Sequence, residues 1–353
     1  MKKKINHILP ALVLTASLGL TTVSCNGFLD EMPDNRTELN TDQKIAKLLV
    51  SAYADVSPNE LFELYSDNSD DSGPTYGYYK LSEQECYHWQ DTKEEYQDTP
   101  NSLWGGYYSA IAAANMALNA IEEKGNPASL DPQRGEALVC RAYCHFMLAN
   151  IFCNAYDTHA SQSLGVPYME EVETTVSPRY ERGTLEEVYR KVERDLLEGI
   201  DLISDDSYSV PKYHFTRKAA YAFAARFYLY YMKPDFSNCD RVIDFATRVL
   251  GTNPADLLRN WEALGNLSVN GNVQADAYIA SSNEANLLIS STVSNWGAIG
   301  SDYLIGPRYF HNQTLATSET CLSSGLWGSS DYFYLKPFST NGFVASILRK
   351  SGL

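Results

Sequence analysis

The strongest constraint on the fold is a series of helical segments in the middle of the chain. Helices are predicted to begin near residues 101, 131, 184, 216 and 238. In the first, apolar residues recur at three- and four-residue steps, which is the period of one helix face. The second is apolar on nearly all sides, so it must be buried against several neighbours. The series predicts a mainly α fold of stacked helical hairpins of the tetratricopeptide kind, whose repeat is about 34 residues.

Capping residues support these helix starts. Asp131 is a predicted N-cap and is followed by a proline, which favours the first helical position. Thr184 and Glu187 fit a T-x-x-E capping box. Thr216 and Asn238 are predicted N-cap residues of the two helices that follow. Periodicity and capping therefore agree on where the helices begin.

The segment from residue 251 to residue 353 has a different character. It is rich in Ser, Asn, Gly and aromatic residues, shows little helical periodicity and contains short strand-like runs. We expect a loop-rich, partly β subdomain there, packed on the helices. The expected organisation is a targeting segment at 1–24, a helical-repeat domain at 25–250 and a C-terminal portion at 251–353.

The N-terminus predicts export and lipidation. Residues 1–24 combine three lysines, an apolar stretch and small residues, which is the pattern of a secretory signal rather than of a membrane-spanning helix. Thr22-Val23-Ser24-Cys25 resembles a bacterial lipoprotein cleavage site, after which the new N-terminal cysteine is acylated. Thr22 stands where leucine is usual, so ordinary secretion is the alternative. The six other cysteines could pair in an oxidising location.

The charge of the chain argues against nucleic acid as a partner. The sequence has 44 Asp and Glu against 28 Lys and Arg, a formal net charge of -16, and no basic run after residue 4. Nucleic-acid binding depends on Lys and Arg that neutralise phosphates. We therefore expect no nucleic-acid partner.

The familiar catalytic motifs are missing from the sequence. It contains no H-E-x-x-H, no G-x-S-x-G, no P-loop and no G-x-G-x-x-G after a strand. Glycoside hydrolysis needs only two carboxylates beside one bond, and linear spacing does not identify such a pair. We expect a protein without enzymatic activity, and a secreted glycoside hydrolase is the alternative.

Two groups of residues invite interpretation as metal sites. Cys140, Cys144, His145 and Cys153 lie on one predicted helix, but His145 points about 100° away from the first two cysteines. Buried thiols that pack as small apolar groups are the better interpretation. The acidic run at 67–73 offers oxygen ligands to Ca²⁺, yet it does not fit an EF-hand. A solvated turn is favoured there, so no cofactor is predicted and Ca²⁺ is the remaining option.

Aromatic residues in the predicted loops are the best candidates for ligand binding. Many are interleaved with Asp, Glu, Gln and Asn, both before the first long helix and in the C-terminal portion. Such a mixture suits a sugar, because its C–H face stacks on a ring while its hydroxyls form directional hydrogen bonds. For each ring, anchoring of a loop onto the helical core is the alternative. The candidate glycan-binding residues are Asp67, Tyr78, Tyr87, Trp89, Trp296 and Tyr303.

Several stretches resemble the SusD/RagB family of outer-membrane glycan-binding lipoproteins. The most specific is 134–146, where Glu136-Ala137 and then Arg141-Ala142-Tyr143 follow the order of the family motif. Further matching stretches are 25–33, 104–115, 165–168 with 182–184, and 216–230. The stretches occur in the family's order, which makes the set more specific than any single one.

The resemblance implies a SusD-like α-α superhelix that supports a loop-rich glycan-binding face, without catalysis. It implies an oligosaccharide or polysaccharide ligand and a SusC-like TonB-dependent outer-membrane transporter as partner. It also implies lipid anchoring in the outer membrane through Cys25, facing the cell exterior. The loop after Asp67 and the stretch around Trp89 correspond to binding positions in the family, whereas Glu136 and Arg141 correspond to structural ones. A transporter lid or adaptor that binds no sugar is the alternative.

The resemblance fades in the C-terminal portion. Residues 282–288 resemble a middle landmark of the family, and its later landmarks are not visible before residue 353. We therefore expect the C-terminal portion at 251–353 to correspond to an incomplete or shortened version of the family's C-terminal region.

Overall fold

The computed structural model describes residues 39–75, 80–95, 97–175, 178–267, 273–294 and 308–310. Residues Met1–Leu39 form one unit, and everything described below belongs to the second unit, Asn40–Leu353. Cys25 and the lipoprotein-like segment lie outside the described residues.

The described residues form mainly α-helices, which confirms the predicted fold class. In chain order the helices are α1 (Asp42–Leu48), α2 (Asn59–Leu64), α3 (Leu81–Tyr87), α4 (Pro100–Glu123), α5 (Asp131–Phe152), α6 (Leu185–Leu202), α7 (Arg217–Tyr230), α8 (Cys239–Leu250), α9 (Trp261–Gly265) and α10 (Val273–Ile279). The long helices α4 to α8 begin within a residue or two of the predicted starts, because each carries both an apolar period and an end signal.

Helix α5 lies at the centre of the helical core. It packs against α4 on one side and α6 on the other, while α8 packs against α7. As its composition predicts, α5 is buried almost all round, including Arg141 and His145. Glycines allow α5 and α6 to touch: a Cβ built on Gly135 lies 2.7 Å from the carbonyl oxygen of Gly199, and one on Gly199 lies 2.8 Å from that of Gly135. The two helix backbones are therefore in direct contact.

Two of the predicted caps are present as predicted. The Thr184 hydroxyl accepts from the amide of Glu187 at 3.2 Å, and the Glu187 carboxylate accepts from the amide of Thr184 at 2.9 Å. The Thr216 hydroxyl accepts from the Ala219 amide at 3.2 Å. Each side chain satisfies an amide that the first helical turn leaves without a partner.

The other two caps differ from the prediction: Asn238 occupies the predicted N-cap position without a capping bond, and Asp131 lies one residue inside its helix. Asn238 precedes α8 but makes no side-chain capping bond. Its amide instead donates to the carbonyl of Tyr231 at the end of α7, so it closes the turn between the two helices. Asp131 is the first residue of α5 rather than its cap, because a 3₁₀ turn, Ala128–Leu130, runs directly into the helix.

The described residues contain little β-strand. The two-residue strands β1 (Asp70–Asp71) and β2 (Tyr309–Phe310) pair antiparallel, with Asp71 opposite Tyr309. Val56 and Val293 form an isolated parallel bridge. Both pairings tie residues from the C-terminal portion to loops near the start of the helical domain. Among the described helices, none is both long enough and apolar enough to cross a membrane.

Candidate functional site

Trp89 is the most exposed of the large hydrophobic residues that the structure describes. It follows α3, and its side chain is 74% exposed. Its amide donates to the carbonyl of Cys86 at 2.9 Å, and the next amide, of Gln90, donates to the carbonyl of Glu85 at 2.8 Å. These two bonds form a Schellman motif, in which the residue at Trp89 must adopt left-handed backbone angles. Its φ is 56°.

Helix α4 ends in the same motif with the residue that the motif prefers. Gly125 donates to the carbonyl of Glu122 at 2.8 Å, Asn126 donates to that of Ile121 at 3.1 Å, and the φ of Gly125 is 80°. Glycine takes these angles freely, whereas an L-residue with a Cβ pays roughly 1–2 kcal/mol. The end of α3 therefore carries an exposed indole at a position where the backbone of a non-glycine residue is strained. A glycine would adopt the same angles freely. Strain of this kind is concentrated at functional sites.

Tyr65 supports the indole from a second helix. Tyr65 directly follows α2, and its ring centroid lies 4.8 Å from that of Trp89, with the ring planes 56° apart. The Tyr65 hydroxyl bonds to the Cys86 thiol, and burial raises the pKa of Tyr65. Trp89 and Tyr65 are here called the aromatic pair: the indole is exposed, and the phenol beside it is half-buried. Tyr65 carries no local signal that marks it as a site residue, because its contact with Trp89 joins the ends of two helices.

Tyr87 faces a different neighbour. Its ring stacks on that of Tyr309 at 4.7 Å, with the planes 30° apart, and Tyr309 is buried. The β1–β2 pairing holds this contact in place, together with Arg308, whose guanidinium bonds both oxygens of Asp71 at 2.6 and 2.7 Å. That hydrogen-bonded guanidinium lowers the pKa of Asp71. The Tyr87 ring thus anchors β2 to α3.

The remaining predicted site residues are distributed as follows. Asp67 is exposed, two residues after Tyr65, in the turn that leads to β1. Within the acidic run that suggested Ca²⁺, Asp71 is bound to Arg308. Tyr78, Trp296 and Tyr303 lie outside the described residues. The structure therefore places Asp67 and Trp89 on the surface, and it places Tyr87 in a stacking contact.

A polar cleft lies further along the segment that follows Trp89. It has a volume of about 430 Å³. Its lining residues are Asp55, Val56, Glu95, Gln97, Asn101, Ser102 and Val293. Amide, hydroxyl and carboxylate groups of this kind form directional hydrogen bonds with hydroxyl-bearing ligands.

A larger groove of about 780 Å³ lies between α4, α5 and α6. At its base, Arg141 donates to Asp195 at 2.6 Å and to Asn115 at 3.0 Å, and the Tyr168 hydroxyl donates to Asp195 at 2.7 Å. Asn115 and His145 also bond the backbone at Met169. These partners fasten the segment around residue 169 onto three helices, which is a structural role for Arg141.

Glu136 has partners of the same structural kind. Its carboxylate accepts from the Tyr53 hydroxyl and from Nδ1 of His214, each at 2.7 Å. The Tyr53 hydroxyl accepts in turn from the amide of Phe215 at 2.7 Å. The carboxylate therefore joins α5 to the segment that precedes α7.

The cysteines and His145 on α5 are engaged in packing and hydrogen bonds. Cys140 and Cys144 are buried, and burial raises the pKa of both thiols. Nδ1 of His145 lies 2.9 Å from the carbonyl of Arg141, and its Nε2 accepts from the Met169 amide at 3.0 Å. All five cysteines in the described part of the chain are free thiols. No group of three metal-ligating side chains occurs among the residues that the structure describes.

The fold and the candidate site together define a class of protein in which pairs of helices support an exposed aromatic side chain in a connecting segment. Residues 27–229, more than half of the chain, match the family model SusD-like, which is described as starch-binding and associating with the outer membrane. The chain belongs to this SusD-like family. No curated protein matches it significantly.

Solved structures share the fold. A SusD superfamily protein from Bacteroides vulgatus is 20% identical with a TM-score of 0.55, covering 81% of this chain and 63% of that one. A second, from Bacteroides fragilis, is 17% identical with a TM-score of 0.53, covering 83% and 65%. A SusD-like carbohydrate-binding protein from Bacteroides vulgatus is 16% identical with a TM-score of 0.50, covering 66% and 49%. The chain thus spans about half to two-thirds of the length of these relatives.

Proposed function

We propose that the protein binds oligosaccharides or polysaccharides on the surface formed by the aromatic pair. The observation that carries the proposal is Trp89, an indole that is 74% exposed at a position where its backbone is strained. An exposed ring contributes little to the core, so this one is available to a ligand. The family description and the carbohydrate-binding relative support a sugar as the ligand.

Binding proceeds by stacking and hydrogen bonding. The free face of the indole takes the C–H face of one sugar ring, and Tyr65 limits the motion of the indole from behind. Asp67, exposed two residues beyond Tyr65, supplies a carboxylate that accepts from sugar hydroxyls. The polar cleft lined by Gln97 and Asn101 supplies hydrogen bonds to a longer ligand. Affinity depends mainly on the aromatic anchor, as is general at binding surfaces. The mechanism requires no catalysis.

We further propose that the protein is a lipoprotein anchored in the outer membrane through Cys25 and serves a SusC-like TonB-dependent transporter. The lipoprotein-like N-terminal sequence supports the anchor. The family's described association with the outer membrane supports the location. Globomycin treatment, which blocks lipoprotein processing, is expected to leave an unprocessed precursor, and Cys25→Ser is expected to release the protein from membranes. A Cys25→Ser variant that stays in the outer membrane contradicts the anchor.

Isothermal titration tests the glycan proposal. Purified protein is titrated with maltooligosaccharides and with a panel of β-glucan, mannan and xylan oligosaccharides, and binding to at least one class is expected. No heat change with any of them, together with failure to co-purify with a barrel transporter, contradicts the proposal. Release of reducing sugar by the purified protein, above the rate in buffer, supports the glycoside hydrolase alternative instead. Transporter docking without sugar binding supports the lid or adaptor alternative.

A further inference from the structure

Four buried acidic side chains, here called the acidic cluster, lie on α2 and α3 and in the segment before α4. Glu60 on α2 and Glu83 and Glu85 on α3 are 4%, 4% and 2% exposed. Asp98, in the segment before α4, is 5% exposed. Carboxylates are rarely buried to this extent unless each has a cationic or hydrogen-bonding partner.

The Lys80 ammonium is the cation that contacts Glu60 and Glu83 in this cluster. Its ammonium lies 3.6 Å from Oε1 of Glu60 and 3.7 Å from Oε1 of Glu83. The second oxygen of Glu60, Oε2, is buried and has no hydrogen-bond partner among the residues that the structure describes. Glu85 is bound separately, by the amide of Lys93 at 3.0 Å and its ammonium at 3.4 Å. One ammonium therefore serves two buried carboxyl groups, those of Glu60 and Glu83.

Protonation of Glu60 resolves this imbalance. Burial raises the pKa of Glu60 to about 8, the Lys80 ammonium opposes that rise, and Glu83 and Asp98 add to it. Burial also raises the pKa of Glu83. The other titratable or charged groups on α2, α3 and β2 and in the segments beside them are Glu63, Tyr65, Glu85, Cys86, Tyr87, His88, Asp91, Lys93, Glu94, Glu95, Arg308 and Tyr309. At neutral pH the cluster thus holds a proton that a solvated glutamate would have lost.

The acidic cluster is connected to the aromatic pair through the Cys86 side chain. The carboxylates of Glu60, Glu83 and Glu85 act electrostatically on the Cys86 thiol, which bonds to the Tyr65 hydroxyl. Tyr65 directly follows α2, and Trp89 follows the end of α3. Any separation of α2 from α3 therefore pulls the Tyr65 ring away from the indole.

We propose that Glu60 is a positioning residue of the candidate glycan-binding surface, and that the uncharged form of its buried carboxyl group lets α2 pack against α3 and so keeps Tyr65 in contact with Trp89. Ionisation in alkali places two or more like charges around one ammonium, pushes the helices apart and weakens ligand binding. The part of this inference that concerns ligand rests on the proposed function. The part that concerns the aromatic pair does not.

A ligand-independent experiment tests the coupling directly. The full protein is labelled with 5-fluorotryptophan, and the resonance of Trp89 is identified by its loss in Trp89→Phe. Between pH 6 and 9.5 the Trp89 resonance is expected to shift with a midpoint near pH 8, because the Tyr65 ring current changes. The shift is expected to vanish in Glu60→Gln and to persist in the matched control Glu63→Gln on the same helix. A resonance that does not move, or that moves equally in Glu60→Gln, overturns the proposal.

A second measurement guards against a variant that does not fold. In wild-type protein with ¹³C-labelled glutamate, one side-chain carboxyl resonance is expected to titrate near pH 8, and titration of every glutamate below pH 6 overturns the proposal. For a sugar that binds at pH 6.5, affinity is expected to fall at least fivefold by pH 9 in wild type and less than twofold in Glu60→Gln. If no sugar binds at pH 6.5, the proposed function fails while the fluorine shift still decides the inference.

Discussion

The ring centroids of Trp89 and Tyr65 lie 4.8 Å apart, although each residue follows the end of a different short helix. The contact fixes one face of the indole and leaves the side chain 74% exposed. A pair of rings contributes about 0.5–1.5 kcal/mol beyond the area it buries. Here that contribution offsets part of the backbone strain at Trp89, so the surface is held in place without being buried.

The Schellman position at Trp89 predicts an unusual order of stability. Trp89→Gly removes both the strain and the ring, whereas Trp89→Ala removes the ring and keeps the strain. We therefore expect Trp89→Gly to be about 1 kcal/mol more stable than Trp89→Ala in urea unfolding. Gly125→Ala, at the matching position of α4, has room for a Cβ and is expected to lose about 1 kcal/mol from its positive φ alone. An alanine at 89 as stable as the glycine contradicts the strain argument.

The contact between α5 and α6 predicts a strong effect of small substitutions. Gly135→Ala places a Cβ 2.7 Å from the Gly199 carbonyl, so the helices must move apart. A loss of about 1–3 kcal/mol in the free energy of unfolding is expected. The control is Gly105→Ala in α4, where nothing lies within 4 Å of the added Cβ. That change is expected to gain about 0.5–1 kcal/mol from helix propensity. Equal effects of the two substitutions contradict the packing described.

The buried ion pair of Arg141 and Asp195 predicts non-additive losses. Arg141→Leu leaves the Asp195 carboxylate, which is 1% exposed, with the Arg194 guanidinium at 2.7 Å as its remaining cation. A loss of about 1.5–3 kcal/mol is expected, because a charge-assisted hydrogen bond to a buried carboxylate is removed. Arg141→Leu combined with Asp195→Leu is expected to lose clearly less than the sum of the single changes, as a double-mutant cycle in urea measures. Strict additivity excludes the pairing.

Glu60 predicts a dependence of stability on pH. The folded state keeps this proton up to about pH 8, whereas the unfolded chain releases it near 4.5. Between these values the folded state binds more protons, so the free energy of unfolding falls as the pH rises. We expect wild type to lose on the order of 2–4 kcal/mol more than Glu60→Gln between pH 5 and 8.5. Parallel pH profiles for the two proteins argue against a raised pKa, and Glu63→Gln should follow wild type.

Local signals in the sequence were sufficient for the helical part of the fold. Thr184 with Glu187 and Thr216 carry capping chemistry that acts over three residues, so their helices were predicted at the correct starts. Asn238 shows where such reasoning ends. Its type fits a cap, but the carbonyl of Tyr231, seven residues earlier, is its actual partner.

The site could be predicted only in part, because its contacts join distant residues. Trp89 was selected from its type and its loop, yet its contact with Tyr65 depends on how α2 and α3 meet. The bond between Arg308 and Asp71 spans 237 residues. The burial of Glu60 could not be predicted from the sequence for the same reason, since an acid in a short helix is ordinarily exposed. Non-local contacts of this kind leave no periodic trace in a sequence.

In the proposed function, sugar binding depends on the exposed indole of Trp89. Phe236 provides a matched control, because it is also exposed, at 67%, and also has a positive φ, 57°, but lies between α7 and α8. Isothermal titration of the best-binding oligosaccharide should show at least a tenfold loss of affinity in Trp89→Ala and less than a twofold change in Phe236→Ala. Unchanged affinity in a folded Trp89→Ala protein contradicts the account.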